Sequence, residues 1–149
     1  MTLKPTPENL SQMVARVMPR IIQGVHLDFL AGRSITHTQF LVIVAVHSYG
    51  NCPMKSISKN MHVSMPTTTG IIDRLVKAGY VQRFHDPGDR RQVMVRLSGK
   101  GRNFIADFQK VVGRRWAEVL SFFTKEDLQI FSGILRKLEE VLNLQKISL

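Results

Sequence analysis

Asp86-Pro87-Gly88-Asp89 suits the interior of neither a helix nor a strand, and it falls between two runs that read as strands. Upstream is "YVQRFH"; downstream is "QVMVRLS", in which Val93, Val95 and Leu97 alternate with Met94 and Arg96, the period of a half-buried strand. The stretch "DPGDRR" therefore closes a β-hairpin in a chain whose other apolar patterns are helical. Arg90 and Arg91 stand where the tip hands over to the second strand, so the hairpin carries two cations at its end.

What surrounds the hairpin narrows the fold further. Leu10, Val14, Val17, Ile21 and Val25 recur at helical spacing over residues 7 to about 31, with Pro19 inside the pattern, where it should kink or split the helix near residue 18. "THTQ" at 36–39 is a capping-box pattern that starts a mostly apolar helix through about Ser48, the centre of the domain. "YGNCP" ends that helix, and a short helix follows over 54–61 with Ile57 and Met61 inward. Ser64 is the N-cap of the next helix, with Pro66 in its first turn, Ile71, Ile72, Leu75 and Val76 as its buried side, and Gly79 as its left-handed end. After the hairpin, Phe104, Phe108, Val111, Val112, Val119, Leu120 and Phe123 mark a long helix from about 99 to 123. "TKED" at 124–127 then caps a last helix that buries Leu128, Phe131, Ile134, Leu135, Leu138 and Leu142.

Two short helices, a tight turn, a capped second helix and a hairpin make a winged helix-turn-helix. The predicted fold is mainly α with a small β-hairpin wing, one domain over 149 residues, with its DNA-binding part at 35–100. Charge agrees with an anionic partner. The chain carries a net +10, and residues 51–100 hold nine Lys/Arg against three Asp/Glu. The helix opened by Ser64 would enter the major groove with "SMPTTTG" leading, where Ser64, Met65, Pro66, Thr67, Thr69 and Gly70 meet DNA. Thr67 and Thr69 are claimed by no core pattern, whereas Ser64 serves chiefly as a cap. Arg74 and Arg83 add cations beside this face.

The segments "ITHTQFLVIVAV", "MKSISKNMHVSMPTTTGIIDRLVKAGYVQR" and "DPGDRRQVMVRLSGKG" resemble, in order and spacing, those of MarR-type transcriptional regulators. The most specific element is Asp89-x-Arg91 followed by a strand and Leu-Ser-x-x-Gly. The resemblance implies that Arg91 probes the minor groove from the wing tip, that Asp89 braces it, and that Arg90 holds phosphate. A narrow minor groove concentrates negative potential, which an inserted arginine reads as width. His62 in the turn, Gly70 in the second helix and Pro19 depart from the family pattern, and Gly99 and Gly101 weaken the start of the long helix.

The resemblance also implies a homodimer built from helices at 5–31 and 101–149, and the terminal helices do carry an apolar surplus: Leu10, Met13, Val17, Phe122, Phe131, Leu138, Val141, Leu142 and Leu144. Many members release DNA when a small aromatic or anionic effector enters a cleft near the dimer helices. His26, Phe29, His37, Phe40 and Val44 would line it here, although Phe40 and Val44 read more simply as core.

Cofactors and metals are not expected, because five dispersed histidines and one cysteine show no ligand spacing. Cys52 reads as a small buried hydrophobe. No phosphate loop or nucleophile–base pair suggests an enzyme, and "SGKG" lacks the spacing of a Walker motif. The longest apolar run, "FLVIVAV" at 40–46, is far too short to span a bilayer, so a cytoplasmic protein is expected. The competing expectation is a winged-helix module, or an anti-repressor, that binds protein and does not read DNA.

Overall fold

The computed structural model describes residues 4–146, the side chains of 26, 27 and 144–146 excepted. His26 and Leu144, named above as effector-lining and apolar surplus, lie outside the described side chains. The order is α1 (Pro7–Leu30), α2 (His37–Tyr49), β1 (Cys52–Pro53), α3 (Met54–Met61), α4 (Met65–Lys77), β2 (Val81–His85), β3 (Val93–Leu97), α5 (Gly99–Leu120) and α6 (Lys125–Lys146). The mainly helical chain with a small hairpin agrees with the predicted fold class. Among the described residues, no helix is long and apolar enough to cross a membrane.

Local signals place most of the boundaries. The Thr36 hydroxyl accepts from the Gln39 N–H at 3.3 Å, and the Thr36 N–H donates back to Gln39 Oε1 at 2.9 Å, completing the capping box of α2. Ser64 Oγ accepts from the Thr67 N–H at 3.3 Å at the start of α4. At the other end of α4, Gly79 adopts φ +81° while the Tyr80 N–H reaches the Leu75 carbonyl at 2.9 Å. His62 makes the turn between α3 and α4 in the left-handed region, at φ 51°. Pro19 neither splits nor ends α1, whose 24 residues run unbroken. Proline lacks the backbone N–H of an ordinary helical residue, and the helix continues past it nonetheless.

Three strands, not two, form the sheet. Cys52 and Pro53 pair with Val95 and Met94, so β3 is central in the antiparallel order β1-β3-β2. The expected alternation of β3 is altered for that reason. Met94, flanked by Pro53 on one side and Phe84 on the other, is 8% exposed, and only Arg96 remains open to solvent. The Arg96 guanidinium lies 5.0 Å from the centre of the Phe84 ring.

The chain divides into two compact units, residues 1–112 and 113–149. The core of the first gathers Phe29 from α1, Phe40, Val42, Ile43 and Val46 from α2, Ile57 from α3, Ile71, Ile72 and Leu75 from α4, Val95 from β3, and Phe104 and Ile105 from α5. Val76 is not part of it: it is 39% exposed, a correction to the predicted apolar face. A serine ties the end of α4 to the start of α5. The Ser98 hydroxyl donates to the Gly79 carbonyl and accepts from the Gly101 N–H at 3.0 Å, while the Ser98 N–H donates to Tyr80 O at 3.0 Å. Lys100 Nζ donates to the Ala78 carbonyl at 2.7 Å and lies 4.4 Å from the centre of the Tyr80 ring.

In the second unit Thr124 caps α6, its hydroxyl accepting from the Asp127 N–H at 3.1 Å. Trp116 stacks on Phe131 with ring centres 5.9 Å apart, and Phe123 meets Phe131 edge-on. The predicted burial of the α6 stripe within the chain is corrected: Ile134, Leu135, Leu138 and Leu142 are about half exposed and Leu128 is 39% exposed. A single helical hairpin has too few facing side chains to cover a stripe that continues past its contact with the α5 end.

Candidate nucleic-acid interface

The exposed face of α4 follows from which threonine the fold consumes. Thr68 is fully buried and donates its hydroxyl to the Ser64 carbonyl at 3.0 Å, as the capped first turn requires. Thr67 and Thr69 flank it and are exposed, together with Met65 and Pro66. Thr67 Oγ1 lies 2.8 Å from Ser64 Oγ, so these two hydroxyls form one polar spot at the helix N-terminus. The helix dipole gives that terminus partial positive charge, favourable to phosphate, although Pro66 brings no N–H and the Thr67 N–H is already taken by Ser64.

The wing tip is held by short side-chain bonds. Asp86 Oδ1 accepts from the N–H groups of Gly88 at 2.7 Å and Asp89 at 3.2 Å. The Asp86 N–H donates to Gln92 O at 3.1 Å, the Gln92 N–H donates to Asp89 O at 2.9 Å, and His85 Nδ1 lies 2.9 Å from Arg90 O. Asp89 accepts from the backbone N–H of Arg91 at 3.0 Å. The expected brace therefore takes another form: Asp89 orders the backbone from which Arg91 projects, and does not hold its guanidinium. The carboxylate is short and the two residues are two apart, so the nearer N–H is the easier partner.

Arg91 and Asp89 border a groove of about 640 Å³, together with Gln92, Val93 and Arg83 of the hairpin, Met65 and Thr69 of α4, and Pro53, Met54 and Lys55 where α3 begins. Arg90 borders a separate hollow beside His85, Asp86 and Pro87. The two arginines thus serve different sides of the tip. Arg83 is engaged within the protein: its Nη1 lies 2.5 Å from Asp73 Oδ1, and its Nη2 donates to the Thr69 carbonyl at 3.3 Å. Arg74 lies along α4, with Nη2 4.0 Å from where a Cβ on Gly70 would be, an ordinary contact distance. Lys55 and Gln92 were not anticipated from sequence. Lys55 carries the stronger signal, being a cation at the exposed start of a short helix within the basic third.

The MarR family matches residues 35–93. The uncharacterized HTH-type transcriptional regulator YsmB of Bacillus subtilis (strain 168) is 32% identical over 127 residues, covering 83% of this chain and 85% of that protein. The chain belongs to the MarR family. The HTH-type transcriptional repressor MdtR of the same organism is 26% identical over 132 residues, covering 87% of this chain and 83% of its own length. Among solved structures, a MarR family protein from Bacillus stearothermophilus superposes with a TM-score of 0.73 at 26% identity over 96% of this chain and 99% of that one. The transcriptional regulator Tm0710 from Thermotoga maritima does so with a TM-score of 0.78 at 22% identity over 93% and 96%, a likeness of fold. As a MarR-family member, the protein is an HTH-type transcriptional regulator.

The residues expected to line an effector cleft divide unevenly in this MarR-family chain. Phe29 and Phe40 are core residues, with Phe29 edge-on to Phe104 at 4.9 Å and Phe40 edge-on to Phe108 at 4.9 Å. The Arg33 guanidinium covers the Phe29 ring at 4.1 Å and donates to the Phe29 carbonyl. Val44 is half-buried and His37 is exposed. Cys52 is 1% exposed, and burial pushes its thiol pKa up, as expected of a small apolar side chain.

Proposed function

We propose that this MarR-family regulator is a repressor that binds a pseudo-palindromic duplex as a homodimer. Helix α4 lies in the major groove with Met65, Thr67 and Thr69 at the bases. Arg91 reaches the adjacent minor groove, and Arg90, Lys55 and the Ser64 terminus hold phosphates. The observation that carries this reading is the single groove bordered by Thr69 and Met65 of the helix and by Arg91 of the wing, within a region holding nine cations against three anions. A protein-binding module would have no use for cations on both sides of such a groove. The dimer reading is supported by bare apolar stripes, Leu10, Met13, Val14 and Val17 at 46–53% exposure on α1 and the α6 stripe described above. Residues 35–100 form the DNA-binding part, and the terminal helices supply the partner contacts. Release by a small effector that enters beside Phe29 and Phe40 would require those rings to leave their core positions.

Selection of bound sites from random duplexes at near-physiological salt tests this reading. We expect a two-fold symmetric site to be enriched. Arg91→Ala then weakens binding on every sequence and lowers the salt slope by about 1, while Thr69→Ala acts chiefly on the enriched site. Enrichment of no sequence, with Arg91→Ala binding as well as the wild type, would favour the protein-binding module.

A further inference from the structure

Asp73 is the only acidic residue on α4, the helix assigned above to the major groove. A carboxylate facing phosphates is repelled by them, so its presence needs a reason. Its side chain is 56% exposed, and it engages Arg83 from the wing strand β2. The Arg83 fork spans two points one turn apart on the same ridge of α4, the Asp73 carboxylate at 2.5 Å and the Thr69 carbonyl at 3.3 Å. Arg83 is paired across the sheet with Val95 at the centre of β3, and β2 runs from there to the tip that presents Arg91. Both ends of the bridge therefore belong to the two elements that must meet the duplex together.

We propose that Asp73 and Arg83 are positioning residues: the Arg83 fork pins the wing strand to α4 and so sets where Arg91 enters while α4 occupies its groove. Arg83 is then not a DNA contact, which changes the role expected of it from sequence. The inference rests on the DNA-binding reading above. A planar, five-donor guanidinium suits a bridge of this kind, whereas an ammonium cannot hold both acceptors in one plane. An exposed pair of this type adds little to folding stability, so its loss should register in DNA binding more than in unfolding.

Electrostatics and positioning predict opposite signs for Asp73→Asn. Removing a negative charge beside phosphates should tighten binding, and releasing the wing should weaken it. We expect Asp73→Asn to weaken binding to the enriched duplex roughly tenfold, as loss of one charge-assisted contact would, with its urea midpoint unchanged. Arg83→Lys, which keeps the charge, should weaken binding to a similar degree. A phosphate contact, by contrast, would be rescued by lysine. In the Asp73→Asn background, Arg91→Ala should cost much less than it does in the wild type, because the misplaced wing no longer delivers that arginine. Equal or tighter binding by Asp73→Asn, rescue by Arg83→Lys, or an undiminished Arg91→Ala effect would each overturn the proposal. If the wild-type chain selects no duplex at all, the DNA-binding reading itself has failed; a specific wild type with a neutral Asp73→Asn sinks only the bridge.

Discussion

Replacing Gly101 by alanine should destabilise the protein although it adds a better helix former to α5. A Cβ built at Gly101 lies 2.1 Å from the Tyr80 carbonyl oxygen, 3.2 Å from its carbon and 3.3 Å from Leu97 Cδ2. An ordinary carbon–oxygen approach is about 3.3 Å, so the first contact is short by about 1.2 Å. The obstructing atom is backbone and cannot rotate away. It is anchored by the Ser98 N–H at 3.0 Å, while the Tyr80 N–H is held by Leu75 O at 2.9 Å. Overpacking of this kind costs about 3 kcal/mol at the upper end of its usual range. The helical preference of alanine over glycine returns about 1 kcal/mol. The net is roughly 2 kcal/mol, which for a chain of this size lowers Tm by about 4–8 °C. Urea unfolding followed by circular dichroism, with thermal melts at one fixed protein concentration, measures both quantities. Gly99→Ala is the internal control, because its Cβ would meet only Arg102 Nη2 at 3.9 Å, and it should be neutral or slightly stabilising. A Gly101→Ala midpoint equal to or above that of the wild type would refute the close-approach argument.

Cys52 and His62 each carry further expected outcomes. Cys52, buried and with its thiol pKa raised by burial, should resist labelling by a thiol reagent at neutral pH until the chain is unfolded in urea. Because the folded thiol holds its proton more tightly than the unfolded one, its contribution to stability is complete below the ordinary thiol value, about 8.5, and is lost as pH rises through the raised value; Cys52→Ala should remove that alkaline decline in a urea titration across pH. His62→Gly should raise the urea midpoint by an amount equivalent to about 0.5–1 kcal/mol, since φ 51° strains any side chain and glycine relieves it; a lower midpoint would mean that the imidazole makes a stabilising contact.

The parts of the fold legible in the sequence are those encoded within four or five residues. Thr36 with Gln39, Ser64 ahead of Pro66, Gly79 after Lys77, and Asp86-Pro87-Gly88-Asp89 each specify a cap or a turn by themselves, and each forms where expected. The exposure of Thr67 and Thr69 was readable as well, because no core pattern of α4 claimed either. What escaped is non-local. β1 is two residues long and exists only because β3, more than forty positions later, has a free edge. The burial of Met94 is a consequence of that edge being filled. The Arg83–Asp73 pair joins residues ten apart on different elements, and no spacing rule announces such a meeting. The α6 stripe marks the opposite failure. Its periodicity correctly gave a helix and an apolar face, but periodicity does not say which molecule covers that face.

Every hydrogen bond described for the side chains of the wing tip begins and ends within residues 85–92. The ladder that holds the hairpin in place lies below, in the pairing of β2 and β1 with β3. The tip is therefore transplantable. The residues between the strands, 86–92, can be exchanged, lengthened or recharged without altering any contact in the core, so the charge and shape of the tip are free to change over an unaltered scaffold.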